Sequence, residues 1–121
     1  MLDWLTKTLG MQRPESMAPI RDLTPEEVSR GLADGTMLLV DVREPREIEA
    51  ERIAGSVYAP LSGFDPEQIA NPEDRAVVFV CAAGVRSVRA SEISQAAGLP
   101  YAAHLAGGLK AWKAAGLSVE H

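Results

Sequence analysis

The stretch Ala76-Val77-Val78-Phe79-Val80-Cys81-Ala82-Ala83-Gly84-Val85-Arg86-Ser87 decides the fold. Its first five residues are an unbroken apolar run rich in valine. A strand with no polar alternation is covered on both faces, the pattern of a parallel sheet. After Cys81 the residues become small, Gly84 opens a turn, and positions 87–97 recur on a helical period until Gly98-Leu99-Pro100 stops them.

The same rhythm extends outward in both directions. Met37-Leu38-Leu39-Val40-Asp41-Val42 is a second apolar run and predicts a second fully buried strand. Ahead of it, Leu23-Thr24-Pro25-Glu26-Glu27-Val28 marks a helix start. Thr24 can cap the free amides, Glu27 can close a capping box, and Pro25 suits the first helical position. Leu23 and Val28 stand where a hydrophobic staple would sit, and Asp34-Gly35 should end the helix. Positions 45–50 read as a short helix, 56–59 as a strand, and Asp65-Pro66-Glu67-Gln68 as another capped short helix. Positions 101–105 read as a last strand and 109–115 as a last helix before Gly116. Strands alternating with helices predict an α/β fold with a parallel sheet.

At 121 residues the chain is one domain, long enough to bury a core without metals or disulfides. The expected organisation is an N-terminal amphipathic segment and linker over 1–19, the domain over 20–117, and a tail over 118–121. Met1, Leu2, Leu5 and Leu9 recur at helical spacing beside Trp4, which predicts a short helix that folds back on the domain or docks on a partner. Twelve basic against seventeen acidic residues give a net charge of -5, which excludes the basic face of a general nucleic-acid binder. No stretch approaches the roughly 20 apolar residues of a membrane span. Residues 1–10 lack the pattern of a secretory signal, so a reducing, cytoplasmic setting is expected.

Cys81 is the only cysteine. It can form neither an internal disulfide nor a cysteine-rich zinc site, so no metal or cofactor is implied. Ligands of a parallel sheet gather at the carboxyl ends of its strands, facing helix N-termini, and Cys81 stands at such a point. A tight glycine-bearing loop lets successive N–H groups converge, and the following helix adds its partial positive charge. Such a nest favours thiolate over thiol and can hold an anion. A lone cysteine after an apolar strand also fits a small buried hydrophobe. Gly84 and the fixed offset of Arg86 weigh toward chemistry.

Dithiol redox cycling would need a second cysteine and is excluded. A cysteine hydrolase would need a histidine base with an orienting partner. His104, the only internal histidine, falls in the strand-like run 101–105 and reads as a core-edge or surface residue. Thiolate attack on sulfane sulfur, or on phosphorus or arsenic oxyanions, remains.

Taken together, three segments resemble the rhodanese family of single-domain sulfurtransferases. Asp41-Val42-Arg43-Glu44-Pro45-Arg46-Glu47-Ile48, followed by Arg52-Ile53-Ala54-Gly55-Ser56-Val57, resembles its strand-to-helix segment and turn. Cys81 to Ser87 resembles the active-site loop, and Leu105-Ala106-Gly107-Gly108-Leu109-Lys110-Ala111-Trp112 the closing Gly-Gly and tryptophan motif. The likeness covers about residues 20–116.

The resemblance implies a five-stranded parallel sheet flanked by helices on both faces. It implies that Cys81 takes sulfane sulfur from a donor such as thiosulfate or a persulfide. The resulting cysteine persulfide passes the sulfur to cyanide or a cellular thiol. The substrate-binding loop would be Ala82, Ala83, Gly84, Val85, Arg86 and Ser87. Four residues stand between Cys81 and Arg86, as in sulfurtransferases. Related phosphatases and arsenate reductases have one more. A non-catalytic interaction module on the same fold is the reading from a different class.

Arg86 is expected either to pair with an anionic donor or to tie the loop to a carboxylate. The family's usual histidine and proline in the Ile-x-Gly turn are Arg52 and Ala54 here. Ala82 and Ala83 carry no charge where thiosulfate-preferring members often do, which points to weak thiosulfate affinity or a persulfide donor protein. Asp41 and Arg43 are expected as an ion pair or loop support, Gly107-Gly108 as a close backbone approach, and Trp112 as core. Glu44, Glu47, Glu49 and Glu51, interleaved with Arg43, Arg46 and Arg52, read as a solvated face.

Overall fold

The computed structural model describes residues 18–121. The helix expected over 1–10 lies outside the described residues. Five strands form one sheet: β1 (Arg21–Leu23), β2 (Met37–Asp41), β3 (Val57–Tyr58), β4 (Ala76–Val80) and β5 (Ala103–Leu105). They lie in the order β1-β5-β4-β2-β3, and every neighbouring pair is parallel. Three helices lie between them, α1 (Pro25–Asp34), α2 (Pro45–Ala50) and α3 (Arg86–Ala96), and a fourth, α4 (Gly108–Ala114), follows the last strand.

The two apolar runs are the sheet's centre. β2 and β4 pair along their whole length, from Met37 opposite Ala76 to Asp41 opposite Val80. Alternation then divides the core. Val77, Phe79 and Cys81 pack with Leu38, Val40 and Val42 against Ala90 of α3. Val78 and Val80 pack with Leu39 and Leu105 against Val28 of α1 and Leu109 and Trp112 of α4. Each fully buried Val, Leu or Phe among them contributes about 1.5–3 kcal/mol over an exposed one. Trp112 is core, as expected, and its indole N–H donates to the Ser118 carbonyl at 2.9 Å.

The helix start at Thr24 is the expected capping box. Glu27 N–H donates to Thr24 Oγ1 at 3.1 Å, and Thr24 N–H donates to Glu27 Oε1 at 2.9 Å. The segment after Asp65 is only a 3₁₀ turn, Pro66–Gln68, although Asp65 does cap it. β1 is the strand that the residues did not announce. Its Arg21 and Asp22 are exposed, and it is a strand because β5 supplies its partners, Arg21 opposite Ala103 through Leu23 opposite Leu105.

Candidate active site

β4 ends at Val80, and the chain turns through 81–85 into α3. Cys81 is 1% exposed. The turn curls round its sulfur, so that Gly84 N–H donates to Sγ at 3.1 Å and Ser87 N–H at 3.3 Å. Ser87 lies in the first turn of α3, where amides have no partner within the helix, and the sulfur takes this one. Gly84 has φ +97°, and a β-carbon there would lie 3.0 Å from the Gly107 nitrogen, so curvature and proximity both call for glycine. Burial pushes the Cys81 thiol up. The Ser87 hydroxyl and the amides of Ser87, Gly84 and Ala83 outweigh that and hold it below the usual thiol range.

The loop is buttressed from α4. Leu109 N–H donates to the Cys81 carbonyl at 2.8 Å, and Lys110 N–H to the Ala82 carbonyl at 3.0 Å. These are free amides at the helix start, spent on loop carbonyls. Gly108, at φ +62°, makes the approach possible. The expected role of Gly107-Gly108 in close packing is therefore met.

A second line of support runs from β2. Asp41 and Arg43 are both buried, and the guanidinium meets the carboxylate at 2.8, 3.0 and 3.1 Å. Arg43 also donates to the carbonyls of Glu47 at 3.3 Å and Glu51 at 2.8 Å, fixing α2 against the strand end. From α2, Glu47 accepts two hydrogen bonds from Arg86, at 2.7 and 2.9 Å. Of the two expected roles of Arg86, the tie to a carboxylate is thus present in the geometry. The Arg86 fork holds the Glu47 carboxyl down to about 2.

The solvated face expected over 43–52 holds at the exposed Arg46 and Glu49 and is corrected at Arg43 and Glu47. Arg43 is interior, and Glu47 is the partner of the loop arginine. An α-helix of six residues looked like surface because charged residues fill it, yet its register points Glu47 at α3.

His104 also proves more engaged than its sequence context indicated. It is buried, its Nδ1 lies 2.7 Å from Ser87 Oγ, and its Nε2 lies 2.7 Å from Asp22 Oδ1. Neither partner is near it in sequence, and no local pattern announces the contact. Beside the loop a cavity of about 420 Å³ is lined by Ala82, Ala83, Lys110, Lys113, Arg43 and Glu47. Val85, at the loop tip, is 78% exposed.

The fold thus sets a buried cysteine, cradled by backbone amides, at a strand's carboxyl end in a parallel α/β domain. Residues 24–115 match the rhodanese-like domain model, and the chain belongs to that family. It is 33% identical over 101 residues to a sulfurtransferase of Allochromatium vinosum, covering 83% of this chain and 94% of that one. It is 40% identical over 93 residues to a probable adenylyltransferase/sulfurtransferase of Mycobacterium tuberculosis, covering 74% of this chain but 24% of the relative. An uncharacterised Synechocystis relative is likewise spanned over only 53% of its length. Among solved structures, a Rhodopseudomonas palustris protein described as a possible tyrosine phosphatase superimposes with a TM-score of 0.72 at 37% identity, covering 84% of this chain and 85% of that one. Among the described residues no helix is long and apolar enough to cross a membrane.

Proposed function

We propose that this domain is a sulfurtransferase that carries sulfane sulfur on Cys81. The observation behind the reading is the sulfur's bed: two backbone N–H groups within 3.3 Å of Sγ, in a loop with four residues between Cys81 and Arg86. With thiosulfate as donor, the Cys81 thiolate attacks the outer sulfur. The sulfur–sulfur bond of the donor breaks, and sulfite leaves with its electron pair. The amides of 82–87 then bear the charge of the persulfide, as they bore that of the thiolate. A cyanide ion or an acceptor thiolate attacks the outer sulfur, and Cys81 leaves as thiolate. Thiosulfate is one donor class and a persulfide-bearing protein the other. Ala82 and Ala83 offer no cation to thiosulfate; across the same cavity stand Lys110 and Lys113, the latter paired with Glu51.

The possible phosphatase activity named for the Rhodopseudomonas protein belongs to that protein. In this chain the loop is one residue short of the length used for a tetrahedral oxyanion. The deciding experiment is an intact-mass spectrum after thiosulfate, and separately after a persulfide carrier, beside Cys81→Ser. A gain of one sulfur atom, removed by cyanide and absent from the variant, is expected. No gain with either donor overturns the reading and leaves an interaction module. Hydrolysis of an aryl phosphate in its place would reassign the loop to phosphorus.

A further inference from the structure

The amides are not the only groups that hold Cys81. Its Sγ lies 3.5 Å from Ser87 Oγ, which lies 2.7 Å from His104 Nδ1, and His104 Nε2 lies 2.7 Å from Asp22 Oδ1. The four residues come from four elements: the end of β4, the first turn of α3, β5 and β1. Cys81, Ser87 and His104 are 1%, 0% and 4% exposed. The Asp22 side chain is 74% exposed. An unbroken line of hydrogen bonds therefore joins a buried sulfur to solvent.

The chemistry of the end groups sets the direction of that line. An ionised carboxylate only accepts, so the hydrogen on the imidazole sits on Nε2 and is donated to Asp22. Nδ1 of the neutral ring is then a lone pair and accepts the Ser87 hydroxyl proton. With its one proton committed, Ser87 Oγ accepts from the Cys81 S–H. Every donor and acceptor along the line is used.

This arrangement can shift as a unit. The Cys81 S–H bond breaks as its proton passes to Ser87 Oγ, while the Ser87 hydroxyl proton passes to His104 Nδ1. Thiol and neutral imidazole become thiolate and imidazolium, and nothing changes oxidation state. Ser87 now donates to the thiolate alongside the amides of Gly84 and Ser87. The imidazolium, in a site shielded from water, remains hydrogen-bonded to the Asp22 carboxylate. A histidine buried only to fill the core would need one N–H satisfied by any carbonyl. Here both nitrogens are engaged, one by the hydroxyl that touches the sulfur and the other by a charge at the surface.

We propose that Ser87, His104 and Asp22 form a proton relay that receives the Cys81 proton and sets the pH range over which the nucleophile is charged. His104 and Asp22 are positioning residues that act on the sulfur through Ser87. The proposal rests on Cys81 being the nucleophile, but its readout requires no sulfur donor. The other charged groups around Cys81 are the Arg86–Glu47 pair from α3 and α2, Glu44 before α2, the Asp41–Arg43 pair at the end of β2, and Lys110 from α4. All of them are kept in every variant below.

Iodoacetamide alkylation is followed by intact mass from pH 5 to 10, and Cys81 is the single cysteine it can modify. Asp22→Asn, on an exposed side chain that leaves folding undisturbed, removes the charge that supports the imidazolium. It should move the alkylation profile up by about one pH unit, a tenfold loss of rate near neutrality. Asp22→Glu, which keeps the carboxylate, should retain the parent profile. In a Ser87→Ala background the wire is cut, and adding Asp22→Asn should change nothing further. An unmoved profile in Asp22→Asn overturns the relay. So does a shift of equal size in the Ser87→Ala background, because that is a field acting through space. If Ser87→Ala does not fold, the contrast between Asp22→Asn and Asp22→Glu decides alone. Failed persulfide loading with a shifted alkylation profile would sink the sulfurtransferase reading and leave the relay standing.

Discussion

A β-carbon on Gly108 would lie 2.4 Å from the carbonyl oxygen of Cys81. The last helix and Cys81 are thus packed backbone to backbone, with no room for even a methyl group. The contact delivers the Leu109 and Lys110 amides to the loop carbonyls, so the loop's shape depends on a glycine 27 positions downstream.

Gly108→Ala should therefore act on stability and on the site together. The clash is with backbone, and φ +62° is a conformation alanine disfavours. The cost should exceed about 1 kcal/mol, with a fall in Tm of roughly 4–8 °C per kcal/mol. Thermal melts read the first effect and alkylation of Cys81 the second. A variant with parent Tm and parent reactivity would show that the loop does not rely on α4.

The Glu47–Arg86 pair should leave a mark on acid stability. The folded-state carboxyl is depressed from 4.5 to about 2, first by the Arg86 hydrogen bonds. A depressed carboxyl contributes stability above its unfolded value and loses that contribution as pH falls through the folded one. The window is therefore pH 4.5 down to about 2. Both side chains are about one-third exposed, so the contribution is screened to at most about 1 kcal/mol. Glu47→Gln should be less stable than the parent at pH 7, and the difference should vanish by pH 2. Urea unfolding at both pH values checks this, and an equal gap at both would assign the cost to something other than charge.

Arg43→Ala should be far more damaging than a loop substitution usually is. It strands the buried Asp41 carboxylate and frees the carbonyls at Glu47 and Glu51. Breaking a buried pair from one side costs about 3–5 kcal/mol. Equilibrium unfolding should show that loss. Because α2 carries Glu47, alkylation of Cys81 should slow with it, and parent reactivity in a destabilised variant would separate the two effects.

Much of this molecule was legible in local chemistry. The apolar runs Met37–Val40 and Ala76–Val80 are strands because four or five successive apolar residues leave no face for water. The Thr24 cap, the 3₁₀ turn after Asp65 in outline, and the glycine-bearing loop after Cys81 follow from backbone preferences over a few residues. The helical period from Ser87 marks α3, which starts at Arg86. β1 was not legible, because a three-residue strand with two exposed charged residues has no pattern of its own. The pairing of Glu47 was not legible either, because charge pattern alone does not tell which carboxylate of 44–51 faces a distant arginine.

The sequence by itself determined an α/β chain with one cysteine at a strand end, inside a loop built to present amides, and it carried the family likeness. What only the tertiary structure decided is the surroundings of that sulfur. β5 pairs so that His104 stands opposite Phe79 on one side and Asp22 on the other. Because side chains alternate with a period of two, that register puts His104 on the same face as Phe79 and Cys81, toward α3 and Ser87. A slip of one residue would turn it to the opposite core. Register is a property of two strands together, fixed by the packing of both sheet faces, and it cannot be read from either strand alone.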